Sequence, residues 1–99
     1  MRPIHLARMD KPRPVLVLTR ERVRTRMSSV TVAPITGRVR GLSTEVAVGP
    51  ANGLDQHSVV SCDNITTIRA DLLGRHVGAL LPSQEDELTA AILAAFDLA

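Results

Sequence analysis

The chain has 99 residues, 44% of them hydrophobic, with Phe96 as the only aromatic residue and Cys62 as the only cysteine. This length predicts one domain, residues 1–99, with an aliphatic core, and a single cysteine excludes an internal disulfide framework and a cysteine-based zinc site. The formal net charge of +2 conceals an asymmetry, because residues 1–40 hold ten of the twelve Lys and Arg residues but only two of the ten acids.

Most of the chain predicts short strands separated by turns. The strand segments are rich in β-branched residues and end near Gly or Pro. Residues 15–19 are almost wholly apolar, which is typical of a strand covered on both faces, whereas "GPANG" at residues 49–53 predicts a loop. The predicted strands are residues 4–10, 15–19, 30–35, 44–48, 58–63 and 75–81.

One helix is predicted after Pro82. Ser83 is a suitable N-cap, and the acids at residues 85–87 complement the positive end of the helix dipole. Apolar residues then recur at a spacing of four and predict a stripe packed on the core: Leu88, Ile92 and Phe96. Several short strands followed by one helix predict a mainly β fold, a small barrel or a strongly twisted sheet.

The basic first half of the chain indicates a polyanionic partner. Eleven of the twelve cations are arginine, whose planar guanidinium matches phosphate oxygens better than the point charge of lysine. The sequence leaves open a second interpretation, in which these arginines form a solvated face and pair with the acidic half of the same chain.

Several chemistries are not indicated. The sequence lacks the phosphate-binding glycine loops, the nucleophile elbow and the zinc-protease motif, and its three histidines are too widely spaced for a local metal motif: His5, His57 and His76. We therefore predict no metal and no cofactor. The absence of a long apolar run predicts neither a signal peptide nor a membrane span. A buried, unreactive Cys62 and a cytoplasmic location are also expected.

Two blocks carry a resemblance to a known family. "RPVLVLT" at residues 13–19, followed by "VAPIT" at residues 32–36, resembles the signature pair of the MazF/PemK-like toxins, the endoribonucleases of type II toxin–antitoxin systems. The resemblance continues at residues 53–54, 58–64 and 73–80 and so covers nearly the whole chain in the family's order. The family's entry motif and G-x-E loop are absent from "MRPIHLARMDKPR", and Arg69 replaces an acid.

This resemblance implies an SH3-like small barrel of the MazF/CcdB type with one C-terminal helix, a homodimer, a cognate antitoxin and single-stranded RNA bound in a groove. The family's catalytic arginine and threonine fall on Arg13 and Thr36. The ribose 2′-hydroxyl of RNA would attack the adjacent phosphate without a metal, giving a 2′,3′-cyclic phosphate and a 5′-hydroxyl. Arg13 would contact the phosphate oxygens, with protonation of the leaving oxygen as a second role, and Thr36 would hold a phosphate oxygen or the attacking hydroxyl.

Six further side chains are predicted to bind RNA. Four of them would lie in a mobile loop beside the groove and would point the same way if that segment is extended. The six residues are Arg20, Arg22, Arg24, Arg26, Arg38 and Asn64. Two other functions remain open: a non-catalytic gyrase poison of the same fold, which in CcdB depends on a tryptophan that this chain lacks, and a basic RNA-binding module.

Overall fold

The structure, a computed structural model, describes residues 2–98. These residues contain seven strands and two helices, with α1 a single turn and α2 a helix of 11 residues. The strands are β1 (Pro3–Arg8), β2 (Pro12–Val17), β3 (Ser29–Thr36), β4 (Glu45–Val48), β5 (Ser58–Ser61), β6 (Thr66–Arg69) and β7 (Leu73–Ala79). The helices are α1 (Glu21–Arg24) and α2 (Glu85–Ala95).

The strands pair antiparallel in the order β4-β5-β3-β2-β1-β7, and β6 joins the sheet by pairing with β3. The β3 strand connects the two parts of the sheet. Its first half pairs with β6, from Ser29↔Arg69 to Val32↔Thr66, and its last two residues pair with β5 on the same edge. The predicted mainly β fold with one C-terminal helix is confirmed.

Two apolar clusters lie on opposite faces of β2. Leu16 enters the larger cluster, which fills the space between the sheet and α2, while Val15 and Val17 enter a smaller cluster with Val30 and Val32. All three β2 residues are fully buried. The apolar run in this strand therefore has the predicted cause, since side chains alternate between two covered faces.

The C-terminal helix differs from its prediction at both ends. Ser83 is not the N-cap: it lies in a 3-10 turn, Pro82–Gln84, and Gln84 occupies the capping position. Phe96 is 55% exposed, because each step of four residues rotates a helix by about 40° beyond a full turn. Leu88 and Ile92 of the predicted stripe do face the core, together with Ala91 and Ala95.

A buried amide network fixes α2 to the sheet. The Asn52 side chain is 2% exposed, accepts the Gly49 N–H at 3.0 Å and donates to the Ala79 carbonyl at 3.0 Å and to Gln84 Oε1 at 2.7 Å. Gln84 Nε2 in turn donates to the Ala47 carbonyl at 3.1 Å. Each of these hydrogen bonds replaces one that the amide groups would make with water, as buried polar groups require.

The strand boundaries show where sequence patterns were insufficient. β6 was missed, although "TTIR" is rich in β-branched residues that favour strands. β1 ends at Arg8, two residues earlier than predicted, and Pro12 is the first residue of β2. β7 begins and ends two residues earlier than predicted. Within residues 2–98, no helix is long and apolar enough to span a membrane.

Candidate functional site

A groove of about 500 Å³ opens where β2 begins and β3 ends. Four residues that the sequence selected line it, two of them the expected catalytic pair: Arg13, Thr36, Arg38 and Asn64. They come from three separate segments, so only the folded sheet brings them together. The groove also includes Arg40, Glu45 and Asp63, which the sequence analysis did not select.

The strand register explains why Arg13 and Thr36 share this groove. The β2–β3 ladder ends at Val15↔Pro34, and the same register two residues further places Arg13 opposite Thr36. Residues two apart on a strand face the same side, so both side chains follow Val15 and Pro34 onto one face. Pro14 and Pro34 have no N–H to extend the ladder, which allows the strands to part and the groove to open.

Arg13 is held by the neighbouring Asp10. Its Nε donates to Asp10 Oδ1 at 3.0 Å and its Nη2 donates to Oδ2 at 3.1 Å. This two-point pairing lowers the pKa of the Asp10 carboxyl to about 2 and raises the pKa of the Arg13 guanidinium, in both cases mainly through the hydrogen bonds between them. Arg13 therefore remains a cation in a fixed orientation.

Thr36 lines the groove as the last residue of β3. The Arg38 backbone N–H donates to Thr36 Oγ1 at 3.1 Å, a local turn contact that threonine commonly makes. Because a hydroxyl has one donor and two acceptor positions, this bond leaves the O–H of Thr36 available to donate to an anion.

The loop between β3 and β4 is ordered by a carboxylate. Glu45 Oε1 accepts the backbone N–H groups of Arg40 and Leu42, both at 3.1 Å. On the other side of the groove, Asn64 Nδ2 donates to Ser61 Oγ at 2.8 Å, which leaves its side-chain carbonyl oxygen as an acceptor. Arg40 was missed by the sequence analysis, although its spacing of two from Arg38 was an available signal.

The arginines of residues 20–26 lie elsewhere. The segment is not extended, so the condition under which its four arginines would point the same way is not met: the Arg24 N–H donates to the Arg20 carbonyl at 3.0 Å, closing the single turn of α1. Unbranched Glu and Arg side chains favour a helical turn, and the segment lacks apolar alternation. Arg20, Arg22 and Arg26 border a separate surface depression with Val23. This segment, residues 20–26, is called the α1 surface below.

Ion pairing within the chain accounts for few of the arginines. Among residues 2–98, Arg2–Glu85, with Nε and Oε2 3.4 Å apart, is the only ion pair between the basic and acidic halves. The other two join near neighbours, Asp10 with Arg13 and Arg69 with Asp71. Among the described residues, the pairing between the basic and acidic halves that the sequence left open is therefore limited to Arg2–Glu85.

The histidines and the cysteine do not line the groove. Residues 2–98 hold no group of three or more His, Cys, Asp or Glu side chains arranged to bind a metal. His5 and His76 pair edge to face with ring centroids 5.2 Å apart. Cys62 is buried, as predicted, and burial raises the pKa of its thiol to about 11 with a smaller contribution from Asp63.

Comparison with known proteins then decides the family. The family model described as "PemK-like, MazF-like toxin of type II toxin-antitoxin system" matches residues 3–96. The chain belongs to this toxin family. It is also 63% identical over 98 residues to the Endoribonuclease MazF3 of Mycobacterium tuberculosis (strain CDC 1551 / Oshkosh), an alignment that covers 99% of this chain and 95% of the relative.

Solved structures agree with the family's fold. The structure titled "Mycobacterium tuberculosis toxin MazF-mt6" has a TM-score of 0.95 and 62% identity, covering 97% of each chain. A second, an endoribonuclease in complex with its cognate antitoxin from Mycobacterial species, has a TM-score of 0.86 at 24% identity and covers 98% of this chain and 93% of its own. The predicted MazF-type fold is confirmed.

Proposed function

We propose that this protein is a sequence-specific toxin that cuts single-stranded RNA in the groove between β2 and β3. The protein is an endoribonuclease of its family, an activity supported by the 63% identity to Endoribonuclease MazF3 over nearly the whole chain. The proposal takes residues 1–99 as one toxin domain, and cleavage would inhibit translation and growth until a cognate antitoxin binds. The observation that carries the site is the presence of Arg13 and Thr36 in one groove.

The reaction uses a nucleophile that RNA already contains. The ribose 2′-hydroxyl attacks the adjacent phosphorus, the bond from phosphorus to the 5′ oxygen breaks, and a 2′,3′-cyclic phosphate and a 5′-hydroxyl result. The 2′-hydroxyl gives its proton to solvent and the leaving oxygen gains one. The protein has to align these atoms and stabilise the additional negative charge on the phosphoryl oxygens. Arg13 and Thr36 supply this without a metal or cofactor.

Arg13 acts through its charge. Asp10 raises the pKa of the guanidinium above its ordinary value, so the group holds its proton more firmly and is a weaker acid. This favours stabilisation of the phosphoryl oxygens over protonation of the leaving oxygen. Thr36 donates its O–H to a second phosphoryl oxygen, since its own oxygen already accepts the Arg38 N–H. Both contacts strengthen as negative charge develops.

Recognition of the RNA divides between two surfaces. In the groove, the Asn64 carbonyl oxygen accepts hydrogen bonds from bases, and Arg38 contributes guanidinium donors. On the α1 surface, the four arginines bind the phosphate backbone and give affinity that depends on salt. Since Phe96 is the only aromatic residue, base stacking on aromatic rings contributes little, and hydrogen bonds carry sequence preference.

Two protein partners belong to this proposal. The family description names toxin–antitoxin systems, which supports a cognate antitoxin. A homodimer is supported by Val39 and Leu42, which are 58% and 46% exposed on the loop that borders the groove, because a second copy would cover them. Sedimentation of the purified protein tests the dimer, and a monomer at micromolar concentration contradicts it. The cytoplasm, where RNA is available, is the proposed location.

The decisive experiment is cleavage of a long mixed-sequence RNA in EDTA, with mapping of the new 5′ ends. We expect cuts at one short sequence, bearing 5′-hydroxyl groups. Arg13→Ala should lower the cleavage rate by roughly 10²-fold to 10³-fold, the range for loss of one transition-state donor.

Arg69→Ala is the matched control, because Arg69 is also a strand arginine paired with a nearby aspartate, but it does not line the groove. It should cut RNA at the normal rate. Intact RNA with the folded wild-type protein contradicts the proposal, and equal losses in both variants contradict the assigned site. Binding without cutting supports an RNA-binding module instead.

A further inference from the structure

A second pocket, of about 540 Å³, opens on the face of the sheet opposite to the groove. Arg13 and Thr36 line the groove, whereas the neighbouring residues Pro14, Ile35 and Gly37 line this pocket. Successive residues of a strand face opposite sides of a sheet. The two cavities are therefore separated only by the thickness of the sheet where β2 begins and β3 ends.

The second pocket has an apolar floor and a polar rim. The floor includes Leu6, Ile35 and Val77, and the rim consists of Asp55, Gln56 and Arg75. Arg75 is exposed and, within residues 2–98, forms no ion pair. Because the formal charges of Arg75 and Asp55 cancel, the rim does not select for a phosphate. It offers hydrogen-bond donors and acceptors beside apolar surface, which is the combination that an unstacked nucleobase requires.

One wall of the second pocket, the segment that leads into β5, is fixed before any ligand binds. Gly53 lies so close to β7 that a side chain there would collide with the Val77 carbonyl oxygen, and its φ of 90° suits glycine. Ser58 is buried, and its hydroxyl donates to the Gln56 carbonyl at 3.2 Å. A preformed wall of this kind lowers the entropic cost of binding a ligand.

Gln56 connects the second pocket with the groove. A Cβ atom added at Gly37 would lie 3.1 Å from Gln56 Nε2, so the Gln56 amide lies against the Gly37 backbone. Gly37 directly follows Thr36, one of the two proposed catalytic residues. An RNA strand held at Thr36 therefore meets the Gln56 amide as soon as it passes the end of β3. An amide has both donors and an acceptor and can recognise the edge of a base.

We propose that the second pocket binds the base next to the scissile phosphate, and that Gln56 and Arg75 recognise that base. This inference rests on the proposed function and extends it. With the phosphate at Arg13 and Thr36, the bases on one side of the cut lie in the groove beside Asn64, and the first base on the other side enters the second pocket. The sequence around the cut is therefore read from both faces of the sheet.

Cleavage of short RNAs that differ at single positions tests this proposal. Once the preferred sequence is mapped, each base is placed in turn at every position around the cut. Gln56→Ala should reduce the preference at one position adjacent to the cut by about tenfold, because loss of hydrogen bonds to a base edge has effects of that order. The positions whose preference changes in Asn64→Ala should be unaffected. An unchanged preference at every position overturns the proposal.

Arg75→Gln should weaken the same preference, and Arg69→Gln is its matched control. Arg69 is also an exposed strand arginine, but it lines neither cavity. The control should keep the wild-type preference at each position. An equal loss in both arginine variants, or a loss spread over all positions, would show a general effect of charge and overturn the assignment.

A binding measurement separates this inference from the proposed reaction. Short single-stranded DNA of randomised sequence lacks the 2′-hydroxyl and cannot be cut. When it is added, the backbone amide NMR signals of residues 53–56 should shift together with those of the groove. Shifts in the groove alone overturn the inference and leave the proposed reaction standing. Shifts at both places, in a protein that cuts no RNA, overturn the reaction and leave the pocket as a binding site. No shift at either place overturns both.

Discussion

The groove and the α1 surface contain the same type of side chain in two different settings. In the groove, Arg13 is held by two hydrogen bonds and the loop carrying Arg38 is ordered by Glu45. On the α1 surface, the arginines sit on a single helical turn, and within residues 2–98 none of them forms an ion pair with a carboxylate. Composition alone cannot distinguish the two sets.

This difference separates two uses of arginine. A held guanidinium can stabilise charge at one point in a transition state, which requires a fixed position before the reaction begins. An unpaired and exposed arginine attracts phosphate at any position, and salt weakens that attraction. We therefore expect changes in the groove to alter the rate of the chemical step and changes on the α1 surface to alter affinity.

After Arg13→Ala, the largest effect is expected in the groove, from Thr36→Val. Valine keeps the branched shape and removes only the hydroxyl, so kcat should fall by roughly 10²-fold through loss of one donor to the transition state. Rates measured at saturating RNA, with the salt dependence of binding unchanged, would confirm this. Thr67→Val is the control, because Thr67 also lies on a strand but bonds to Thr31 Oγ1, 3.1 Å away and outside the groove.

A smaller effect is expected when all four α1 arginines are replaced by Gln. RNA binding should weaken, and the slope of log affinity against log salt should decrease by up to about 3, since each phosphate contact on a single strand contributes about 0.7. Filter binding at several salt concentrations measures both the affinity for RNA and this slope. A four-lysine variant should keep most of the slope. A large loss of kcat with an unchanged slope would contradict the division between the two surfaces.

The smallest effect on cleavage is expected from Asn52→Ala, because Asn52 lies outside both the groove and the α1 surface. This change removes a side chain that makes four hydrogen bonds in a buried position, so the free energy of unfolding should decrease by about 1–3 kcal/mol. Urea unfolding measures the loss, while kcat at low temperature should be normal. Ser83→Ala should change neither, since that hydroxyl does not cap α2.

Arg13 and Thr36 could be selected from the sequence because each lies at a strand end within a block that resembles a known family. Asp10 could not be selected. It lies in the β1–β2 hairpin, which lacks the family's G-x-E loop. Only the pairing of β1 with β2 shows that its carboxylate reaches Arg13. The arginines of residues 20–26 were identified as a set, but their backbone and their separation from the groove depend on a helical turn that the sequence pattern did not indicate.

The sequence by itself determined the family, the mainly β fold and the doubly buried strand β2, and it selected the two residues proposed as the catalytic pair, because strong local patterns and family blocks carry that information. Only the tertiary structure decided which charges meet. The β2–β3 register brings Arg13 to Thr36, the hairpin turn brings Asp10 to Arg13, and α1 directs four arginines elsewhere. The physical reason is that apolar alternation is a pattern among neighbouring residues, whereas the distance between two charges depends on how separate strands pair.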